Sequence, residues 1–117
     1  DTIVWLGDRE LQKPDSLEEA AEMIKQLSGN THEVYTAITV RTASKSISDF
    51  DKTTVHFREL TPEEISYYVN TYKPLDKAGA YGIQEWIGYV GIEKIEGCYF
   101  NVMGLPLRKV YQVLSTL

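Results

Sequence analysis

At 117 residues, the chain is long enough for one compact domain and too short for two of ordinary size. Hydrophobic residues make up 43% and charged residues 25%, which excludes the depleted, highly charged composition of a disordered chain. Twelve Lys and Arg against seventeen Asp and Glu leave a net charge of −5, so a polyanion meets a repulsive field and general nucleic-acid binding is disfavoured. A small phosphorylated ligand stays compatible with that field, because local lysines and backbone amides act within a Debye length of ~8 Å. The single cysteine, Cys98, forms no intrachain disulfide, as in a reducing cytosol. No apolar run approaches the ~18 to 20 residues needed to span a bilayer. The expectation is a soluble, cytoplasmic protein without a membrane partner.

The run Ile3-Val4-Trp5-Leu6 is β-branched and aromatic and stops at Gly7-Asp8, which predicts a short buried strand followed by a turn. Ser16-Leu17-Glu18-Glu19 is a capping box, and Leu17, Ala20, Ala21, Ile24 and Leu27 then recur at helical spacing until Gly29 supplies a stop. Over 33–41 the apolar signal changes to period two, with Val34, Ile38 and Val40 alternating with Tyr35, Thr39 and Arg41, as in a strand with one solvated face. The polar stretch 42–51 separates it from the β-rich 53–57, predicting a hairpin with a long tip. Thr61-Pro62-Glu63-Glu64 is a second capping box, opening a helix with the stripe Ile65, Tyr68, Val69 and Tyr72.

After Lys73-Pro74 the residues become small, through Leu75-Asp76-Lys77-Ala78-Gly79-Ala80-Tyr81-Gly82-Ile83-Gln84, where backbone can approach a ligand. The segment 88–95 is apolar enough for another strand, and 97–105 reads as a Gly-punctuated turn. Pro106 starts a last helix with Leu107, Val110, Tyr111 and Leu114 at i, i+3, i+4 and i+7. The alternation of strands and helices without linker or repeat indicates an α/β or α+β sheet covered by helices, forming one domain over 1–117.

Neither His32 nor His56 has a companion at metal-ligand spacing, so both read as structural, and Cys98 has no neighbouring base that would make it a nucleophile. Tyr35, Tyr68 and Tyr111 fall on element faces where packing explains them. Three features carry chemistry. Asp1-Thr2 sets a carboxylate at a strand end, where it can bind a hard cation or activate water. Lys13-Pro14 sets an ammonium just ahead of a capped helix, where positive charge and free amides favour phosphate. The Gly79/Gly82 loop gathers Asp76, Lys77 and Gln84. Taken alone, these features reach an α/β domain with affinity for an anionic ligand.

In order and spacing, Asp1-Thr2-Ile3-Val4, Lys13-Pro14, the run from Leu27 through Thr36, Asp76-Lys77-Ala78-Gly79-Ala80-Tyr81-Gly82-Ile83-Gln84 and Asn101-Val102-Met103-Gly104-Leu105-Pro106 form a pattern. It spans nearly the whole chain and resembles the Maf family of nucleoside triphosphate pyrophosphatases, historically named for septum formation. The resemblance implies a mixed twisted sheet flanked by helices, of the Maf/inosine-triphosphatase type. It also implies hydrolysis between the α and β phosphates, with Asp1 as catalytic base and metal ligand, Lys13 stabilising phosphate charge, and Mg²⁺ or Mn²⁺ neutralising it. Thr2 matches a position linked to base selection, Asp76 and Lys77 belong to the substrate site, and Gln84 matches the branch acting on dTTP and UTP.

Departures from the family pattern are Gln12 in place of Gly, Cys98 in place of Ser, and Glu85-Trp86 in place of a small residue after Gln84. They bear on pocket shape more than on reaction type. The family's Ser-x-Ser-Pro-Arg-Arg turn, which grips the triphosphate, has no counterpart here. The resemblance therefore implies that the chain is the C-terminal part of such an enzyme and is inactive alone, and it leads us to expect a homodimer. The alternative is a non-catalytic nucleotide-binding regulator linked to cell division.

Overall fold

The computed structural model describes residues 2–116. In chain order it contains β1 (Thr2–Leu6), β2 (Arg9–Leu11), α1 (Leu17–Leu27), β3 (Thr31–Arg41), β4 (Ser46–Phe57), α2 (Pro62–Tyr72), a 3₁₀ turn (Ala78–Ala80), α3 (Trp86–Gly91), β5 (Ile92–Glu96), α4 (Tyr99–Val102) and α5 (Leu107–Ser115). The expected α/β architecture is present. Its five-stranded sheet has the order β2-β1-β3-β4-β5, and all four pairings among the described residues are antiparallel.

Local chemistry accounts for both long helices. In α1 the Ser16 hydroxyl accepts from the Glu19 amide at 3.1 Å, which is one half of the expected capping box, and Ala20, Met23, Ile24 and Leu27 are buried. In α2 both halves form: the Thr61 hydroxyl accepts from the Glu64 amide at 3.1 Å, and the Glu64 carboxylate accepts from the Thr61 amide at 2.9 Å. Arg58 grips the same carboxylate with two nitrogens, at 3.1 and 2.7 Å, and donates to the Val90 carbonyl at 2.6 Å, tying α2 to α3. The Arg58 hydrogen bonds are the main cause that holds the Glu64 carboxyl down at about 2. α1 and α2 pack together over one face of the sheet, where Val4, Val34 and Val55 are buried with Ile24, Leu27 and Tyr68. Each such side chain contributes roughly 1.5–3 kcal/mol.

Five elements differ from the sequence reading, among them α4, a single helical turn inside the segment 97–105 read as a Gly-punctuated turn. β2 was not expected: its three residues carry one apolar side chain, and it forms because Gly7, at φ 63°, turns the chain back onto β1. The β3–β4 tip is short, 42–45, because residues 46–51 continue the ladder from Ser46↔Arg41 to Asp51↔Thr36; they are polar because most of this end is exposed. The strand expected over 88–95 divides into α3 and β5, with Gly91 letting the helix end close against the Phe57 ring. In α5 the expected stripe points outward: Leu107, Tyr111 and Leu114 are exposed and Val113 is buried instead. Arg108 and Lys109 lie 3.8 and 3.7 Å from Asp51 and Asp49 of β4, so the basic edge of the helix faces the sheet.

Two buried polar clusters link the sheet to the C-terminal half. Asn101, wholly buried in α4, donates to the Val34 carbonyl at 3.0 Å and to the Thr53 hydroxyl at 2.9 Å. Its own carbonyl accepts from the Thr36 hydroxyl at 3.1 Å, and Thr36 in turn meets the Thr2 hydroxyl at 3.1 Å. In the second cluster, His32 stacks on Phe57 and hydrogen-bonds through Nε2 to the Tyr81 hydroxyl at 2.6 Å. Burial is the main cause that depresses its pKa to about 4, with His56 adding to the effect. His32 is structural, as expected, and His56 sits in the sheet between Thr31 and Glu96, at 3.0 and 2.8 Å.

Asn101→Ala strips partners from the Thr53 hydroxyl and the Val34 carbonyl, and is expected to lower stability by about 1–3 kcal/mol in denaturant melts. A loss below about 0.5 kcal/mol would show that the cluster relaxes without cost. His32 gives a pH signature. An unfolded histidine titrates near 6.5 and the folded one near 4, so the unfolded state binds the extra proton between those values. Stability should therefore fall as pH drops from about 6.5 to 4, by on the order of 3 kcal/mol. In His32→Phe this slope should flatten even though the variant starts less stable, and an unchanged slope would assign it to other groups.

Candidate functional site

A cleft of about 280 Å³ is lined by Thr2 and Val4 of β1, Lys13, Val34 of β3, Asp76, Lys77, Ala78, Tyr81, Gly82 and Gln84 of the α2–α3 connection, and 102–104 at the end of α4. It brings together Thr2, Lys13, Asp76, Lys77 and Gln84, five of the six candidates from the sequence. The sixth, Asp1, lies outside the described residues. Two wider grooves, of about 630 and 600 Å³, lie between α1 and α2 and over the sheet face bearing Trp5, Tyr35 and Phe50, and hold none of the candidates.

The floor is apolar, formed by Val4, Val34 and Tyr81, and the wall beside Thr2 is Gly104. At φ 103°, Gly104 adopts a backbone that disfavours other residues, and a Cβ there would meet the Thr2 hydroxyl at 3.4 Å. Thr2 is further fixed through Thr36 to Asn101.

The connection 73–85 has little regular structure, yet it is held from several directions. The Gly79 amide donates to the Gln12 carbonyl at 3.2 Å, beside Lys13. Tyr81 is anchored on His32. The Gly82 amide donates to the Tyr68 hydroxyl at 3.2 Å, and that hydroxyl donates to the Glu85 carboxylate at 2.5 Å. Gly88 completes the packing: a Cβ there would lie 1.8 Å from the Ile83 carbonyl oxygen, so only glycine lets α3 begin this close to the turn.

The charges are arranged around the rim. The Lys77 ammonium lies 3.3 Å from Asp76 and 4.0 Å from Glu85. Its hydrogen bond is the main cause that holds the Asp76 carboxyl below the usual range, with a smaller pull from Lys13. Among the described residues, the side chains of Lys13 and Gln84 make no hydrogen bond or ion pair, so an ammonium and an amide are free to meet a ligand. The cleft offers an apolar bed for a flat ring, an amide with both donor and acceptor, and two cations for an anion.

The described donors do not by themselves fit a divalent cation. Asp76 is the one carboxylate among the residues lining the cleft and is engaged by Lys77, and no three His, Cys, Asp or Glu side chains converge among the described residues. Asp1, the ligand implied by the resemblance, is outside them.

Tyr68, Thr36 and Asn101 were not read from the sequence as part of the site. Tyr68 was visible only as one member of a helical stripe, and the other two only as members of the blocks that carry the family resemblance, with no role attached. The signal at position 85 was its departure from the family pattern. Tyr68 is fully buried, as its stripe implied, whereas Tyr111 is 74% exposed, contrary to the packing expected for it.

The chain matches the family described as Maf-like protein over residues 1–117. It is 51% identical over all of its 117 residues to the dTTP/UTP pyrophosphatase of Flavobacterium johnsoniae, covering 60% of that protein. It is 49% identical to the protein of the same name from Bacteroides thetaiotaomicron and 50% identical to that from Phocaeicola vulgatus, covering 61% of each. No helix among the described residues is long and apolar enough to cross a membrane. With a match along its whole length and a fold of the expected type, the chain belongs to the Maf-like protein family.

Proposed function

We propose that this chain supplies the base pocket and part of the phosphate site of a nucleoside triphosphate pyrophosphatase. Its substrates are dTTP, UTP or non-standard pyrimidine triphosphates, released as monophosphate and pyrophosphate. The observation that carries the reading is the convergence of Thr2, Lys13, Asp76, Lys77 and Gln84, from separate parts of the chain, on one cleft. Supporting it, the relatives at about half identity carry the name dTTP/UTP pyrophosphatase, and the chain spans about three fifths of their length.

At about 280 Å³ the cleft lies just under the ~300–1,000 Å³ typical of small-molecule sites, a size suited to a nucleoside with its phosphates directed outward. A pyrimidine laid on Val4, Val34 and Tyr81 presents its edge to Gln84, whose amide both donates and accepts. Lys13 and Lys77 receive the phosphate charge, and within ~8 Å their local field outweighs the net charge of −5. Asp1 is the general base in this reading, orienting or deprotonating water for attack on the α-phosphorus as the α–β bridge breaks toward pyrophosphate. A divalent cation, Mg²⁺ or Mn²⁺, accompanies the triphosphate as part of the substrate, and Asp1 is also its expected ligand. A cytoplasmic site of action accords with the single free cysteine, Cys98. The homodimer remains part of the proposal, supported by the exposed Leu107, Tyr111 and Leu114 of α5.

The deciding experiment is a hydrolysis assay on the protein at its full natural length, with UTP and Mg²⁺, resolving the products. UMP and pyrophosphate are expected; UDP and phosphate, or binding without turnover, would overturn the assignment. In the same protein, Gln84→Ala should raise KM for UTP and dTTP and narrow their advantage over purine triphosphates, each lost hydrogen bond being worth about 0.5–1.5 kcal/mol. Equal losses for all bases would make Gln84 a general positioning group. Asp1→Asn should lower kcat by ~10²–10⁴ while leaving nucleotide binding measurable by calorimetry, and an unchanged kcat would remove Asp1 from the mechanism.

A further inference from the structure

Glu85 occupies the residue just before α3, where a carboxylate ordinarily bonds the free amides of the helix it precedes. Here it makes no such capping bond. Its side chain turns back instead and accepts the Tyr68 hydroxyl proton at 2.5 Å, a charge-assisted bond to a ring that is itself fully buried. The same hydroxyl oxygen accepts from the Gly82 amide at 3.2 Å, so a single phenol holds both ends of the turn that carries Gln84. The other carboxylate oxygen faces Lys77 at 4.0 Å. A Cβ on Gly82 would meet the Glu85 carboxylate and the Lys77 stem at 2.8 Å each, so the two side chains close directly over the glycine backbone. The next residue repeats the attachment, with Trp86 set edge-on to Tyr67 at 4.9 Å between ring centres. Adjacent residues of α2 thus grip adjacent residues at the start of α3.

We propose that Glu85 is a positioning residue of the nucleotide site, which through Tyr68 and Gly82 fixes the direction of Gln84. This rests on the pyrophosphatase reading above and adds to it a residue that touches neither phosphate nor water. The bond to Tyr68 carries the effect. The pair with Lys77 is long and partly solvated, the kind of contact that contributes little alone.

Kinetics with UTP and Mg²⁺ on the protein at its full natural length separate positioning from charge. Glu85→Ala is expected to raise KM for UTP by about 5- to 20-fold, with the change falling on KM rather than kcat. Glu85→Gln should recover most of that loss, because its carbonyl oxygen still accepts from Tyr68. Tyr68→Phe should match Glu85→Ala, and the double variant should be no worse than either single one. If Glu85→Gln is as impaired as Glu85→Ala, or if either lowers KM by relieving repulsion of the phosphates, the residue acts only as a charge and the proposal fails. Hydrogen exchange without nucleotide gives a second reading. The Gly82 amide should exchange at least about tenfold faster in Glu85→Ala and Tyr68→Phe, with exchange elsewhere in the sheet unaltered. Unchanged exchange overturns the positioning role even if KM moves. Faster exchange in a protein that never turns over UTP would instead uphold the clamp and overturn the substrate assignment.

Discussion

The buried amide of Asn101 is the interaction on which the site depends. It crosses from α4 to the sheet and bonds β3 at Val34 and β4 at Thr53, while the main-chain carbonyl of the same residue accepts from Thr36. Moving β3 one residue along β4 would separate these partners and strand polar groups that are already out of water. Each costs about 1–3 kcal/mol if left unmatched, so the cluster favours one register of the two strands over its neighbours. Because Thr36 passes the constraint to Thr2, the same cluster that fixes the sheet also fixes one wall of the cleft. The Asn101 side-chain oxygen has no partner among the described residues, so the amide holds its place by its donors.

The other wall is built on a different plan. The connection 73–85 has little repeating hydrogen-bond pattern, and its shape is imposed by contacts from elsewhere: Gln12 on Gly79, His32 on Tyr81 and Tyr68 on Gly82. Small residues make this possible, since Gly79 lies so near Val4 that a Cβ would come within 3.2 Å of it. The result is irregular backbone carried with the definition of a helix or strand. Among the described residues lining the cleft, Lys13 and Lys77 stand beside one carboxylate, Asp76, with Glu85 adjoining Lys77 from the end of the connection.

Both major helices were legible in the sequence because their signals are local. Ser16 and Thr61 announce their own starts, and the apolar residues that follow are spaced for one buried face. The cleft residues were legible for a different reason. Nothing in the spacing of Thr2, Lys13 and Gln84 places them together, and it was the family pattern that joined them. What stayed hidden depends on partners far along the chain. The polar ladder of 46–51 looked like loop because its pairing with β3 leaves no trace in its own composition. The face of α5 was assigned by its leucines, whereas the helix buries Val113 and sets Arg108 and Lys109 toward Asp51 and Asp49 of β4. Tyr68 and Glu85 are 17 residues apart, and only the packing of α2 against the turn makes them a pair.

Gly88 has a consequence for how such a site can diversify. With the Ile83 carbonyl oxygen 1.8 Å from where its Cβ would be, it welds the start of α3 to the backbone just before Gln84. Any side chain there must push the two apart, and the displacement is delivered straight to Gln84 at the cleft. Sequence drift in this segment is therefore not free to sample small adjustments. The lining of the cleft can change by exchanging the side chain at position 84 over an unchanged backbone, or by replacing the stretch from 83 to 88 as a block, whereas a side chain at position 88 alone is opposed by sterics.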